Sequence, residues 1–237
     1  MSLFLNNEDG YYSLTNAGSI LLFVIIAVLI LLTALVKSGS KSDEQTEKEQ
    51  NKAAKAFSTK QLVFSAVAVA LGFVTSYIKV IHMPWGGSVT LCSMLFITLI
   101  GYWYGPKIGI SAGFAYGLLQ FVQTGSTYIL SPLQACMDYI LAFAALGLSG
   151  FFHNRKNGLI EGYVFAIFMR GVFHSIGGYL YWMDYMPDFF HNQHLEAIYP
   201  IAYNYAYILV EGVVTIIILM LPPVQNVMTR VKRMAIE

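Results

Sequence analysis

Charge is what this sequence has least of. Only 11% of its 237 residues are Asp, Glu, Lys or Arg, against 57% that are hydrophobic, and the mean hydropathy is +0.59. A soluble domain could not cover its surface from so small a polar stock, so the chain belongs in lipid. The formal net charge of +1 leaves no basic footprint for a nucleic acid. Cysteine is scarce as well. Cys92 and Cys136 both fall in apolar segments, where they read as small buried hydrophobes and set no disulfide framework. No glycine-rich loop ending in Lys-Ser or Lys-Thr occurs, so ATP hydrolysis is not expected of this chain. Strict alternation of apolar and polar residues is missing too, which excludes a membrane barrel.

What the sequence has in abundance is apolar runs, each near the roughly 20 helical residues that a hydrocarbon core takes. The first, about 17–36, is long for a signal-peptide core and follows Glu8 and Asp9 instead of a basic region; it is expected to stay as a membrane helix. The polar stretch KSGSKSDEQTEKEQNKAAKAFSTK, residues 37–60, buries too little to offset chain entropy and reads as a linker. Six further spans are expected at about 61–81, 89–104, 108–123, 129–150, 159–181 and 198–221. The fold class is therefore all-α: a polytopic bundle with a six-helix core over 61–237, an extra amino-terminal transmembrane helix within 1–36, and a cytoplasmic linker over 37–60.

Alternate connections sort the cations. Lys37, Lys41, Lys48, Lys52, Lys55 and Lys60, then Lys107, then Arg155 and Lys156, then Arg230, Lys232 and Arg233 all fall on one side, which should be the cytoplasm. The amino terminus is then outside and the carboxyl terminus inside. The opposite connections hold Trp85, Tyr128, Trp182, Tyr185 and Phe189, so a ligand pocket is expected to open outward.

Asp138 is the sharpest anomaly, because an aspartate inside an apolar helix costs about 2.5–3.5 kcal/mol on insertion scales. A cationic or hydrogen-bonding ligand would offset that, and so would Arg170 or the hydroxyls of a neighbouring helix. Glu211, also within a span, is read as the structural partner of Arg170. In RGVFHSIGGYLYW (170–182), His174 and Trp182 fall within about 80 degrees of each other on a helix. They could line one cavity, or Trp182 could belong to an interfacial aromatic belt and His174 to the packing. Tyr199 and Asn204 are offset by about 140 degrees and would need a broad pocket to share a ligand. A carboxylate, an imidazole, a carboxamide, phenols and indoles together suit a flat, nitrogen-rich cation. His191 and His194 lack the glutamate and second motif of a zinc hydrolase, so no metal is expected. An intramembrane hydrolase built on Asp138 or His174 would need a second acid or a nucleophile that no motif supplies. Ala66 and Ala70 form a small-xxx-small pair that permits close helix approach in lipid.

Four stretches carry a resemblance: MPWGGSVTLCSML (83–95), YILSPLQACMDYILAF (128–143), RGVFHSIGGYLYW (170–182) and AIYPIAYNYAY (197–207). In these motifs and their order, the chain from about Lys60 onward resembles the thiamine-specific S-components, the substrate-binding subunits of energy-coupling factor transporters. The resemblance implies a thiamine pocket near the outer face, closed by the first outer loop, in a bacterial cytoplasmic membrane. It maps binding positions onto Asp138, Tyr139, His174, Trp182, Tyr199 and Asn204, with Tyr128 and the loop tryptophan Trp85 nearby. By this analogy Asp138, Tyr199 and Asn204 bond or neutralise the ligand while Trp182 and His174 pack on its rings. It implies no cofactor beyond the transported thiamine. Its partners would be a transmembrane coupling protein, meeting the Ala66–Ala70 face, and two ATPase subunits. Uptake would proceed by toppling of the binding subunit. The same scaffold could instead take a thiamine precursor or hydroxymethylpyrimidine. Three departures stand out: Asp138 occupies a position where the family has Glu, Trp85 is placed differently in its loop, and the first helix with its linker is additional.

Overall fold

In the computed structural model the first helix of the core, α1 (Thr59–Ser76), starts where Ser58 and Gln61 cap each other. The Gln61 backbone N–H donates to the Ser58 hydroxyl at 3.2 Å and the Ser58 N–H to the Gln61 side chain at 2.8 Å. The structure describes residues 5–8, 11–14, 57–84, 86–124, 129–153, 155–192 and 196–237. The first two segments are strands β1 (Leu5–Glu8) and β2 (Tyr11–Leu14), paired antiparallel. The expected helix at 17–36 and most of the linker lie outside the described residues.

Each of the six expected core spans meets a helix, with two corrections at one place. The span expected over 61–81 ends at Ser76, and residues 89–92 of the next are not helical. Between them stands a hairpin, β3 (Lys79–His82) against β4 (Ser88–Thr90), with a register irregularity between Lys79 and Ile81. Val80, Ile81 and Val89 are β-branched and fit a strand as readily as a membrane helix. The turn between the strands runs through Gly86 and Gly87, at φ of 91° and 79°, a backbone that glycine adopts without cost.

Beyond the hairpin come α2 (Ser93–Tyr104) and α3 (Pro106–Thr124), then α4 (Pro132–Phe152). Helix α4 opens with Ser131 as cap, widens to a π turn over Cys136–Leu141 and tightens to a 3₁₀ coil over Ala145–Phe152. Helix α5 (Gly158–Tyr181) leads into a 3₁₀ turn at Met183–Tyr185 and the short α6 (Asp188–Asn192), and α7 (Tyr199–Met220) completes the core. A further helix that hydropathy did not announce, α8 (Pro222–Ile236), follows directly.

Four of these helices, α1, α4, α5 and α7, are long and apolar enough to cross a bilayer, and α2 is apolar but shorter. Small residues let the middle helices meet backbone to backbone: a Cβ on Gly109 of α3 would lie 2.6 Å from the Gly101 Cα in α2 and 2.7 Å from the Gly147 carbonyl in α4. Around that seam Met94, Ile97, Leu146 and Tyr163 are wholly buried. Leu62, Val67 and Val74 of α1 are more than half exposed, an outward apolar face that lipid, not water, would cover.

Candidate functional site

The hairpin, the start of α2 and the ends of α3, α4, α5 and α7 enclose a cavity of about 210 Å³ at one end of the bundle. Its chemistry begins on the π turn of α4, a helical form that recurs at functional sites. Asp138 and Tyr139 both reach the cavity from it. The Asp138 side chain is 13% exposed. Its Oδ2 accepts from Gln134 Nε2 at 2.6 Å and from the Trp182 indole N–H at 3.4 Å, and its Oδ1 faces His174 Nδ1 at 3.3 Å. The approach of α5 depends on Gly177, where a Cβ would stand 2.7 Å from Oδ1.

Donor logic fixes the imidazole. Arg170 Nε donates to His174 Nε2 at 3.3 Å, and arginine has no acceptor, so Nε2 presents its lone pair. The proton is then on Nδ1, pointing at Asp138, and the ring is neutral. The guanidinium of Arg170 lies over the Phe143 ring, 4.4 Å from Cζ to centroid. A relay from Arg170 through His174 to Asp138 thus spreads compensation for the carboxylate while its remaining lone pairs face the cavity.

Helix α7 supplies the opposite wall. Tyr199, Tyr203 and Tyr207 follow one another a turn apart, with ring centroids 5.7 Å and 6.4 Å from each to the next. Phe190 of α6 packs on Tyr199 at 4.8 Å. Asn204 spends both its N–H bonds on protein, at 2.8 Å to the Pro200 carbonyl and 3.2 Å to the His174 carbonyl, and its Oδ1 accepts from the Tyr207 hydroxyl at 3.1 Å. What capacity it has left is acceptor capacity. The hairpin closes over this wall: the Tyr203 hydroxyl donates to the Gly86 carbonyl at 2.9 Å, and a Cβ on Gly87 would stand 2.6 Å from the Tyr207 ring.

Of the residues expected from sequence, Asp138, Tyr139, His174, Trp182, Tyr199 and Asn204 all line this one cavity. Tyr128, Trp85 and the side chains of His191 and His194 lie outside the described residues. Ala66 and Ala70 are exposed on α1, away from the cavity lining. The pairing of Glu211 with Arg170 is overturned. Among the described residues the ion pair of an arginine or lysine with a carboxylate is Arg155 with Glu161, and Arg170 reaches His174 instead. Glu211 instead accepts from the Thr90 N–H at 2.9 Å, the Thr90 hydroxyl at 2.7 Å, and the Ser93 hydroxyl and Met94 N–H at 3.3 Å each. It caps the start of α2, where the positive end of a helix dipole favours an anion, and ties that start to β4.

Sequence reasoning passed over Gln134, Tyr203, Tyr207 and the pair Gln120 and Gln123, which hold Ser76 between them at 2.8 Å each. Gln134 stands four residues before Asp138 and the tyrosines recur at intervals of four, so helical spacing would have pointed to them.

Residues 62–230 match the model of the family described as Thiamine transporter protein (Thia_YuaJ). Thiamine transporter ThiT of Bacillus subtilis is 32% identical over 172 residues, covering 67% of this chain and 85% of the relative. ThiT of Lacticaseibacillus paracasei is 28% identical over 142 residues, 53% of this chain and 67% of that protein. A solved structure of ThiT from Listeria monocytogenes superposes with a TM-score of 0.53 at 28% identity, covering 69% of this chain and 94% of its own.

Proposed function

The chain belongs to the thiamine transporter protein family, and from that membership we propose that it is the thiamine-binding membrane subunit of an energy-coupling factor transporter. The observation that carries the reading is a carboxylate at the open face of an aromatic cavity inside a helical bundle. Among the described residues Asp138 is met by the neutral donors Gln134, His174 and Trp182 and, one residue removed, by Arg170. A thiazolium cation beside it would complete that compensation, and desolvated rings add about 0.5–2 kcal/mol each toward a cation.

The roles follow from what each group has left to offer. Trp182, Tyr199 and His174 present ring faces or edges to a flat ligand. The remaining lone pair of Asn204 Oδ1 suits a ligand amino group such as that of an aminopyrimidine. Tyr139 closes the side toward α3, where it meets Phe121 at 5.5 Å. The hairpin β3–β4 covers the opening as the first outer loop. Tyr128 and Trp85 are assigned to the rim by the family resemblance alone.

The gathering of Lys and Arg on alternate connections supports a cytoplasmic carboxyl terminus, an outside amino terminus and an outward cavity. The family membership supports as partners a transmembrane coupling protein, docking on the exposed Ala66–Ala70 face of α1, and two ATP-binding cassette ATPases that supply the energy. The bound thiamine is cargo, and the transport cycle calls for no resident cofactor in this subunit.

Purified protein should bind thiamine with quenching of tryptophan fluorescence. Trp182→Ala and Asp138→Ala should each raise the Kd by about tenfold or more, through lost stacking and lost charge neutralisation. Unchanged binding in both variants would reject the site. Competition by hydroxymethylpyrimidine stronger than that of thiamine would transfer the assignment to the precursor.

A further inference from the structure

The end of the bundle away from the cavity carries a feature that vitamin binding leaves unexplained. Helix α7 stops at Met220, Leu221 is extended at ψ 129°, and Pro222 and Pro223 start α8, so the chain breaks from the direction of the membrane span. One face of α8 is packed: Val224 and Met228 lie against the core cluster and Ala235 is buried. The helix is pinned to the end of α2, where the Lys232 ammonium donates to the Tyr102 hydroxyl at 2.8 Å and the Tyr104 hydroxyl to the Ala235 carbonyl at 2.9 Å.

The outward side is of two kinds. Val227 and Met234, seven residues apart and so on one stripe, are 51% and 58% exposed. Arg230 sits beside that stripe and Arg233 beyond it, both exposed. Neither forms an ion pair among the described residues. The neighbouring connections add Lys107 and Lys156: the Gly105–Pro106 turn abuts Gly150, and a Cβ on Gly158 would stand 3.1 Å from the Tyr102 ring, which brings both connections to this same end.

A helix with one packed face, an apolar flank and unpaired arginines, placed directly after a membrane span, has the form of an interfacial helix. We propose that α8 lies along the membrane surface and that Arg230 and Arg233, flanked by Lys107 and Lys156, bind the phosphodiester headgroups of anionic phospholipids while Val227 and Met234 enter the acyl boundary. The charge complementarity selects this occupant. Guanidinium groups pair with phosphate in a forked geometry, and long cationic side chains reach from an apolar flank to headgroup level. The inference rests on the membrane location, not on the choice of thiamine as ligand.

The test uses the full chain in lipid nanodiscs of phosphatidylcholine alone or of equal parts phosphatidylcholine and phosphatidylglycerol. The thermal midpoint should be higher by about 4 °C or more in the anionic discs, native mass spectrometry should show retained phosphatidylglycerol, and added salt should erase the increment. In R230Q/R233Q the midpoint should be the same in both lipids, with thiamine affinity unchanged because the cavity is at the other end. Equal midpoints for the unaltered chain in the two lipids overturn the proposal, as does an increment that survives salt. Should the double variant not fold, the salt series on the unaltered chain decides alone. Loss of thiamine binding with the lipid increment intact would strike the ligand reading and spare this one.

Discussion

Two carboxylates stand inside the same helical bundle, and their surroundings differ in kind. Glu211 is 2% exposed and receives two backbone N–H groups and two hydroxyls from β4 and the start of α2. Every donor is protein, and all of them lie on two adjoining segments that the carboxylate holds together. Asp138 receives one short bond from Gln134 and two longer ones from His174 and Trp182, and its open side faces the cavity. An ionisable residue within a span is a functional candidate by default, yet only one of these two has acceptor capacity directed at empty space. Cost of burial does not separate site from scaffold here; the direction of the unspent lone pairs does.

The comparison would break if the two residues failed in the same way, and the largest expected effect tests this. Glu211→Leu leaves the Thr90 and Met94 N–H groups without their acceptor, and orphaned buried donors cost about 1–3 kcal/mol each. Ligand-free protein should lose about 3 kcal/mol or more, a fall of about 6–12 °C in the thermal midpoint for a chain of this size. Asp138→Leu also takes the acceptor from the Gln134 amide and the more distant His174 and Trp182 N–H groups, but all three line the cavity, where water can take them up, so the ligand-free midpoint should fall by less than half as much. Thermal unfolding of both variants without thiamine settles the matter, and equal falls would erase the distinction.

Legibility from sequence follows the same division. Asp138, His174 and Trp182 were visible because each is a polar or amphipathic group in an apolar run, and the structure gathers them in one cavity. Glu211 was visible as an anomaly but was matched to the wrong partner. Opposite sign suggested Arg170, whereas the contact was decided by the start of α2, which no spacing along α5 or α7 reveals. The hairpin was hidden for another reason. Val80, Ile81 and Val89 raise hydropathy as much in a strand as in a helix, and only Gly86–Gly87 marked the turn. Helix α8 escaped because its packed face, Val224, Met228 and Ala235, is an amphipathic stripe that a window of mean hydropathy averages away.

A second variant sharpens the contrast from the side of α5. Gly177→Ala puts a methyl 2.7 Å from Asp138 Oδ1, and the carboxylate is too short and too firmly held by Gln134 to swing far. Relief must then come from α5 and the carboxylate moving apart, which changes the geometry that Asp138 and Trp182 offer to the cavity, so thiamine Kd should rise by about tenfold. The bonds of Glu211 are untouched, so the ligand-free midpoint should move much less than in Glu211→Leu. Tryptophan fluorescence titration paired with thermal unfolding reads both, and a variant that loses stability without losing affinity would place Gly177 with the packing.

The smallest effect concerns the one short bond that Asp138 makes. Gln134 is 1% exposed, its carbonyl oxygen accepts from the Leu130 N–H at 3.1 Å, and its amide donates to Asp138 Oδ2 at 2.6 Å. Both ends of the carboxamide are engaged, so it orients the carboxylate instead of merely filling space. Gln134→Leu keeps much of the volume and removes the donor, while His174 and Trp182 still hold the carboxylate from α5. Thiamine Kd should therefore rise by only about threefold to fivefold, short of the about 1.4 kcal/mol that tenfold represents. Gln134→Glu, which sets a second acid against Asp138 in place of the amide donor, should weaken binding more than Gln134→Leu. Fluorescence titration of the two variants would show that order if orientation of the Asp138 carboxylate is what Gln134 contributes, whereas equal losses would assign it to packing alone.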